Sequence, residues 1–354
     1  MKVKKASKRE FFASANSYCG FKSYFDTIFN SEKFDRIFVI KGGPGGGKST
    51  LMKNVARIFE DKCEDIELFR CSSDKNSLDG VILCCSGKSV ALIDGTAPHE
   101  RDAVIPGAVD LLINLGEAFD VDVLEDRKKD IFELNKRKKE SYRLAYEKLD
   151  KSSVYDSNIK AEIYCKADIK ALSVSARDVL SAVNTGTSNE FGIRLFSSFS
   201  RDGYTKIDSF KDSDYEVISV VGDYGSDCIF MSILENELIK NGASYVRMPS
   251  ALDEKTTEGL YLSDSKNAIV CAQNYNSEIN VNKFIPGIAE FSFSEKVKAL
   301  HTCKALYEKE AREALIKASE HHFELEKIYT EAVDFKIINK YTDEITDGIS
   351  KIFA

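Results

Sequence analysis

A short apolar run, a cluster of glycines and a helical pattern follow one another near the start of the chain. Residues 36–40, RIFVI, are branched or aromatic, as is typical of a buried strand. The apolar positions after the glycines recur at the spacing of one helix face: Leu51, Val55, Ile58 and Phe59. The pattern therefore predicts a strand, a tight turn and a helix, in that order.

Two further apolar runs predict strands that end in polar loops. Residues 66–71, IELFRC, precede the polar segment SSDKNSLDG, and residues 90–93, VALI, precede Asp94. In open α/β sheets, ligands bind beyond the carboxyl ends of the strands. If the strands are parallel, we expect both loops to face the glycine-rich turn.

The second half of the chain repeats the order of these patterns. Residues 35–52 align with 215–232, and residues 71–81 align with 250–260. A series of such matches at a nearly constant offset indicates an internal repeat. The sequence thus predicts that the fold is duplicated.

Residues 42–49, GGPGGGKS, match the phosphate-binding pattern G-x-x-x-x-G-K-S, and the repeat does not keep its lysine. In the alignment by eye, Cys228 stands in place of Lys48, and Asp94 falls on Cys271 or Ala272. A thiol cannot replace an ammonium group at a phosphate. We therefore expect a degenerate second site.

Each half closes with a long charged stretch without glycine or proline, residues 117–185 and 288–347. Apolar residues at helical spacing in both stretches predict amphipathic helices. We interpret each stretch as a helical hairpin or antenna beside the α/β core. The run 127–140, RKKDIFELNKRKKE, is more typical of a solvated helix face than of a patch for an acidic partner.

These elements predict an α/β fold with two tandem P-loop NTPase-like domains. Each domain would be a parallel sheet flanked by helices, with a long helical C-terminal segment. Residues 1–188 would form the nucleotide-binding domain and residues 189–354 the degenerate one. The boundary is placed near the turn-rich segment 184–190, NTGTSNE.

Composition and charge narrow the classes of function. The net charge of −7 over 354 residues argues against general nucleic-acid binding. No apolar run approaches the length of a membrane span, so no membrane partner is expected. The nine cysteines show no paired metal spacing, and no signal peptide is recognisable, which together predict a cytoplasmic protein.

The glycine-rich turn matches the pattern G-x-x-x-x-G-K-S, from Gly42 to Ser49. Glycines allow backbone amides to surround an anion, and the helix N-terminus adds a positive dipole end. Lys48 would contact the terminal phosphates, and the Ser49 hydroxyl would ligate Mg²⁺. ATP and Mg²⁺ are therefore the predicted cofactors. The predicted nucleotide-binding residues are Gly42, Gly43, Gly45, Gly46, Gly47, Lys48, Ser49 and Thr50.

Asp94 is the candidate Walker B acid, which would hold Mg²⁺ through water. Many ATP-driven motors carry glutamate directly after this aspartate to activate water, whereas here Gly95 follows. Hydrolysis must then be slow or use another group.

Four other side chains are candidates for catalysis: Asp74, Asp79, His99 and Glu100. A carboxylate or imidazole there could orient water or accept a proton. For each, the alternative of an ordinary turn, cap or loop residue stays open. Arg101 is a further candidate for a phosphate contact, with the same alternative.

The segments GFKSYFDTIF, IKGGPGGGKSTLMK, CSSDKNSLDGV and IDGTAPHERDAVIPGAVDLLINLG resemble a bacterial family of tandem P-loop proteins known only as predicted ATPases. The resemblance covers the first half with specific motifs and the second half weakly. It implies ATP binding and no particular substrate. Family members often keep a P-loop in both halves, and this chain departs from that pattern at Cys228.

Three functions remain open. The first is a slow Mg-ATPase with one site in the first half and a structural or regulatory second half. The second is a small-molecule kinase that uses Asp74 or Asp79 as the base. The third is a non-enzymatic ATP-gated scaffold with a protein partner. The sequence does not identify the small molecule or protein that would act as partner.

Overall fold

The computed structural model describes residues 6–183, 191–273, 275, 277–291 and 294–354. The predicted boundary segment 184–190 lies outside the described residues. The division of the chain after residue 188 therefore stays a prediction.

The secondary structure falls into two series with similar order. The first series is β1 Ser7–Phe12, β2 Ser14–Ser17, β3 Gly20–Ser23, α1 Phe25–Ile28, β4 Arg36–Lys41, α2 Lys48–Ile58, β5 Asp65–Arg70, β6 Leu78–Cys85, β7 Lys88–Asp94, β8 Asp110–Asn114, α3 Val121–Asp126, α4 Lys128–Tyr164 and α5 Ile169–Ala182. The second series is β9 Phe191–Ile193, β10 Ser197–Ser200, β11 Gly203–Lys206, β12 Glu216–Val221, α6 Ser226–Lys240, β13 Tyr245–Pro249, β14 Thr257–Leu262, β15 Asn267–Val270, β16 Ser277–Asn280, α7 Ile288–Phe291, α8 Glu295–Glu331 and α9 Phe335–Phe353.

Each half contains a six-stranded sheet, and the two sheets have the same strand order. The orders are β1-β5-β6-β7-β4-β8 and β9-β13-β14-β15-β12-β16. In both sheets the third strand is antiparallel to its two neighbours, and the other pairs are parallel. The duplication expected from the sequence thus appears as two repeat-like α/β halves.

The prediction of purely parallel sheets is wrong, because β6 and β7 form a hairpin. Only Ser86 and Gly87 connect them, with φ of 52° and 76°. Two residues at positive φ make the tight turn that joins antiparallel strands. A parallel connection would need a crossover of a dozen or more residues.

The two sheets share one core. Phe11 and Phe69 from the first sheet lie in the same apolar cluster as Met248 and Tyr261 from the second. The rings of Phe11 and Tyr261 stack with centroids 5.9 Å apart. The two halves are therefore joined face to face through their sheets.

The long helices α4 and α8 pair with each other in antiparallel orientation. Leu134 near the start of α4 packs with Leu325 near the end of α8. Farther along α4, Tyr155 stacks on Tyr307, with ring centroids 5.8 Å apart. The interpretation of a separate helical hairpin in each half is therefore wrong, since each long helix finds its partner in the other half.

Each half also supplies a helix to the core of the other. Leu172 on α5 is buried with Phe230 on α6, in the apolar layer outside the second sheet. Ile345 on α9 is buried with Val55 on α2, outside the first sheet. The outer helical layer of each sheet is thus completed by the opposite half of the chain. None of the helices within the described ranges is both long and apolar enough to pass through a bilayer.

Candidate functional site

The glycine-rich loop, residues 42–47, connects β4 to α2 at the carboxyl end of β4. Gly45 and Gly47 have φ of +66° and +79°, in the left-handed region that favours glycine. The amide of Gly46 donates to the Gly43 carbonyl at 3.3 Å, which closes the loop on itself. The loop therefore ends at the N-terminus of α2, where backbone N–H groups lack helical partners.

Lys48, the first residue of α2, directs its ammonium group into this loop. Nζ donates to the carbonyls of Gly42 and Gly43, at 2.8 Å in each case. It also lies 3.6 Å from Oδ2 of Asp94. The cation is thus held between the loop and the end of β7.

Ser49 follows this lysine on α2, and Asp94 lies beside its ammonium group. The Ser49 hydroxyl accepts a hydrogen bond from the Leu78 amide at 2.9 Å. Oδ1 of Asp94 accepts from the Thr96 amide at 2.9 Å, so its other oxygen faces Lys48. Thr50 is exposed on α2.

Asp79 and His99 join Asp94 in a compact group. One ligand atom from each of the three lies within 4.8 Å of the others. The hairpin places Asp79, on β6, beside the end of β7. His99 is buried and stacks on Phe25, with ring centroids 4.4 Å apart. The structure therefore brings together three of the predicted catalytic residues.

The polar atoms of this group are buried and partly without partners. Oδ2 of Asp79 and both ring nitrogens of His99 have no hydrogen-bond partner among the described residues. Burial raises the pKa of Asp79 to about 6, against the opposing effect of His99 and together with the nearby charge of Asp94. Burial without full hydrogen bonding disfavours the charged form of a carboxyl group.

The remaining candidates lie outside the group of Asp79, Asp94 and His99. Asp74 is half-buried, and its Oδ1 accepts from the Asn76 amide at 3.1 Å. Glu100 is exposed. The phosphate contact suggested for Arg101 is wrong, because its buried guanidinium donates to the Phe29 carbonyl and to Ser31 Oγ.

The end of α8 covers the loop, which the sequence patterns did not predict. A Cβ on Gly43 would lie 2.8 Å from the ring of Tyr329, and one on Gly45 would lie 2.5 Å from Thr330 Oγ1. The loop glycines are therefore also needed for close packing of a helix from the other half. No local signal marks this contact, since it depends on the pairing of α4 with α8.

Three titratable groups on the long helices, Lys138, His322 and Glu326, lie near the same loop. The pKa of His322 is lowered to about 4 by partial burial and by the charges of Lys138 and Lys48. The pKa of Glu326 is raised by burial and by Asp74, while Lys48 and Lys138 oppose this shift. His322 is therefore uncharged near neutral pH, beside a loop that already holds a cation.

The equivalent place in the second half has a shorter loop, residues 222–225. Gly225, at φ +85°, caps the start of α6 as Gly47 caps the start of α2. Ser226, and not Cys228, therefore stands in the position of Lys48. The correspondence of Cys228 with Lys48 expected from the sequence is wrong, because the two loops differ in length.

The strand registers fix the counterpart of Asp94. Ile40 pairs with Asp94 across β4 and β7, and Ser219 pairs with Val270 across β12 and β15. Cys271, which directly follows Val270, therefore lies at the position of Asp94. Of the two counterparts expected from the sequence, the structure selects Cys271.

Comparison with protein-family models, with curated proteins and with solved structures gave no match to this chain. The resemblance to the tandem P-loop family therefore stays a prediction. What the protein binds must be argued from the geometry of the site.

Proposed function

We propose that the protein binds Mg-ATP at the glycine-rich loop and hydrolyses ATP slowly at this single site. The observation that carries the proposal is the position of Lys48. Its ammonium group is bonded to two loop carbonyls and faces Asp94, at the start of a helix. Glycine amides, a helix N-terminus and a lysine together favour a bound phosphate chain.

The residues present also suit Mg²⁺. The Ser49 hydroxyl and the Asp94 carboxylate are both oxygen donors, which this ion prefers. Bound Mg²⁺ would neutralise phosphate charge during phosphoryl transfer. Ser49 would hold the ion directly and Asp94 would hold it through water.

Asp79 is the base that this arrangement favours. Gly95 leaves the usual glutamate position empty, whereas β6 brings the Asp79 carboxylate beside Asp94. A base works best when its pKa is close to the working pH, and the pKa of Asp79 is raised to about 6. Asp79 would accept the proton of the attacking water, and His99 would orient that water from the other side.

The test compares ATP binding and turnover in the wild type, Lys48→Ala and Lys62→Ala. Lys62 is exposed and serves as the matched control. We expect Lys48→Ala to reduce turnover on the order of 100-fold, as loss of a phosphate-stabilising group does. The control should keep wild-type turnover. Equal turnover in the wild type and Lys48→Ala would refute the proposed site.

One observation favours the second candidate, an ATP-gated scaffold. The end of α8 touches the loop through Tyr329 and Thr330, and the same helix begins in the second half. A change in the loop would therefore be transmitted along α8. Tight ATP binding without turnover, with faster hydrogen exchange along α8, would support this function over hydrolysis. ATP consumption that rises with one added metabolite would instead support a small-molecule kinase.

A further inference from the structure

Two groups of metal-ligating side chains occur in the described part of the chain, and they share one equivalent strand position, Asp94 in the first half and Cys271 in the second. The first is Asp79, Asp94 and His99, at the end of β7. The second is Asp227, Cys228 and Cys271, at the end of β15 and the start of α6. The second half, which lacks the lysine of the first loop, therefore also contains a cluster of possible metal ligands.

We infer that Asp227, Cys228 and Cys271 form a Zn²⁺ site with one coordination position open to solvent. The inference does not depend on ATP binding in the first half. The second half would bind a metal ion although it lacks the lysine of the first half.

The spacing of the three side chains fits a tetrahedral ion. Their ligand atoms lie within 4.8 Å of one another. Around Zn²⁺, with Zn–S of about 2.3 Å and Zn–O of about 2.0 Å, such ligand atoms are roughly 3.5–3.8 Å apart. Closing the site therefore needs side-chain shifts of about an ångström. Two sulfurs and one oxygen suit Zn²⁺ better than the hard ions Mg²⁺ or Ca²⁺.

The backbone positions these ligands in a rigid frame. Asp227 and Cys228 lie in the first turn of α6, and Oδ1 of Asp227 accepts from the Cys228 amide at 2.8 Å. The same contact holds the Asp227 carboxylate beside both thiols. Zn²⁺ bound there would deprotonate both thiols, since a thiol that coordinates a metal ion loses its proton.

An open cleft of about 680 Å³ adjoins the cluster, and Asp227 and Cys271 are among its lining residues. The cleft gives the fourth position access to water, as in zinc sites that bind a substrate. Two thiolates and a carboxylate around Zn²⁺ carry one net negative charge. Lys206, whose Nζ donates to the Cys271 carbonyl at 2.6 Å and lies 3.6 Å from Glu258 Oε1, brings a positive charge beside the site that it shares with Glu258.

The strand and helix positions support a metal over a simple pair of thiols. Cys271 stands where Asp94 stands in the first half, and Asp227 stands where Ser49 stands. The duplicated fold thus offers one ligand from the strand and one from the helix in both halves. Replacement of oxygen donors by sulfur changes which ion the place selects.

The experiment titrates the full-length protein, kept reduced and freed of metal, with Zn²⁺ alone against a chromophoric chelator. We expect one tightly bound Zn²⁺ in the wild type. Cys271→Ser and Asp227→Asn should each weaken binding at least 10-fold. With Co²⁺ as the probe, the thiolate-to-cobalt charge-transfer band should be lost in Cys271→Ser.

Matched variants separate this site from others in the chain. Cys165→Ser removes an exposed thiol, His99→Ala alters the cluster of the first half, and Lys48→Ala removes the lysine beside the glycine-rich loop. All three should keep wild-type Zn²⁺ affinity. Asp227→Asn changes a half-buried residue, so it remains informative if Cys271→Ser does not fold.

Several results would overturn the inference. These are a wild-type protein that binds no Zn²⁺, equal affinity in Asp227→Asn and the wild type, and loss of the ion in His99→Ala. A Cys228–Cys271 disulfide in peptide maps of oxidised protein, with no Zn²⁺ bound when reduced, would show a redox pair in its place.

Discussion

At the scale of single residues, the candidate site of the first half is built from groups that destabilise the fold. Asp79 and His99 are buried, and three of their polar atoms have no hydrogen-bond partner in the described structure. A buried polar group without a partner costs roughly 1–3 kcal/mol. Such groups are expected where function rather than stability has selected the side chain.

The raised pKa of Asp79 predicts that Asp79→Asn stabilises the protein. A carboxyl group whose pKa rises on folding contributes stability that is complete below its unfolded pKa. That contribution is lost as the pH rises through the folded pKa. The shift from 3.8 to about 6 corresponds to about 3 kcal/mol at pH 8 and about half of that at pH 5. Asparagine, which does not ionise, should recover this amount.

Urea unfolding at both pH values, with chelator and without nucleotide, measures this gain. Asp61→Asn, at an exposed position, is the control and should leave the free energy of unfolding almost unchanged at both. A gain for Asp79→Asn that is the same at pH 8 and pH 5 would contradict the assignment.

His99→Phe should separate catalysis from packing. Phenylalanine keeps the stacking on Phe25 and removes two unpaired nitrogens, so the free energy of unfolding should be unchanged or higher by about 1 kcal/mol. ATP turnover should fall at least about 10-fold if the imidazole orients water. The control is His301→Phe on α8, where the ring of His301 contacts Tyr224. This variant also removes a ring nitrogen that has no hydrogen-bond partner in the described structure. Equal turnover in both variants would leave His99 a packing residue.

At the scale of elements, the end of α8 and the glycine-rich loop are fitted to each other. Gly43 and Gly45 leave space that Tyr329 and Thr330 fill. At Gly45, the positive φ and the close contact with α8 both favour glycine. Either one alone would be enough to favour it.

Gly45→Ala should be more harmful than an alanine at a glycine with the same backbone. Gly107 has φ of +75°, close to the +66° of Gly45, and its Cβ would meet nothing within 4 Å. Alanine there should cost about 1–2 kcal/mol for the left-handed conformation alone. Gly45→Ala should add about 1–3 kcal/mol for displacing α8. Urea unfolding without nucleotide gives both values, and equal losses would show that α8 yields without cost.

The sequence predicted the elements that depend on local pattern. The apolar runs correspond to β4, β5 and β7, and the periodic positions correspond to α2. The turn Ser86–Gly87 is itself a local signal for a hairpin. The helix exchange could not be predicted, because nothing in the local pattern of α4 distinguishes a partner in its own half from one in the other.

The residues of the candidate site also fall into those that local patterns predict and those that depend on contacts between distant elements. Lys48 and Asp94 follow from strand, loop and helix patterns, whereas the grouping of Asp79 with His99 required the hairpin register. The positions of Lys138, His322 and Glu326 near the loop required the pairing of the two long helices.

At the scale of the whole molecule, neither half has a complete core of its own. The sheets share one apolar layer, and α5 and α9 each cover the opposite half. The two halves are therefore expected to unfold together, as one cooperative unit.

Ile345→Ala on α9 tests this cooperativity. Ile345 is 1% exposed in the core of the first half, so its truncation should lower the free energy of unfolding by about 2–5 kcal/mol. Hydrogen exchange should accelerate in β14 and β15 of the second half as well as in β4. The control, Ile239→Ala, removes a side chain that is 57% exposed and should change stability by less than about 0.5 kcal/mol. Acceleration confined to the first half would show that the halves unfold independently.

The helix exchange also sets when the protein can fold during its synthesis. Domains generally fold in order from the N-terminus as the ribosome extends the chain, at about 5–20 residues per second. Here α2 and its glycine-rich loop lie near the start, yet the helix that covers α2 is residues 335–353. The part of α2 that packs against α9 therefore stays open to solvent, and available to chaperones, until those residues emerge. Of the two halves, the one that is synthesised first is therefore the last to have its core fully packed.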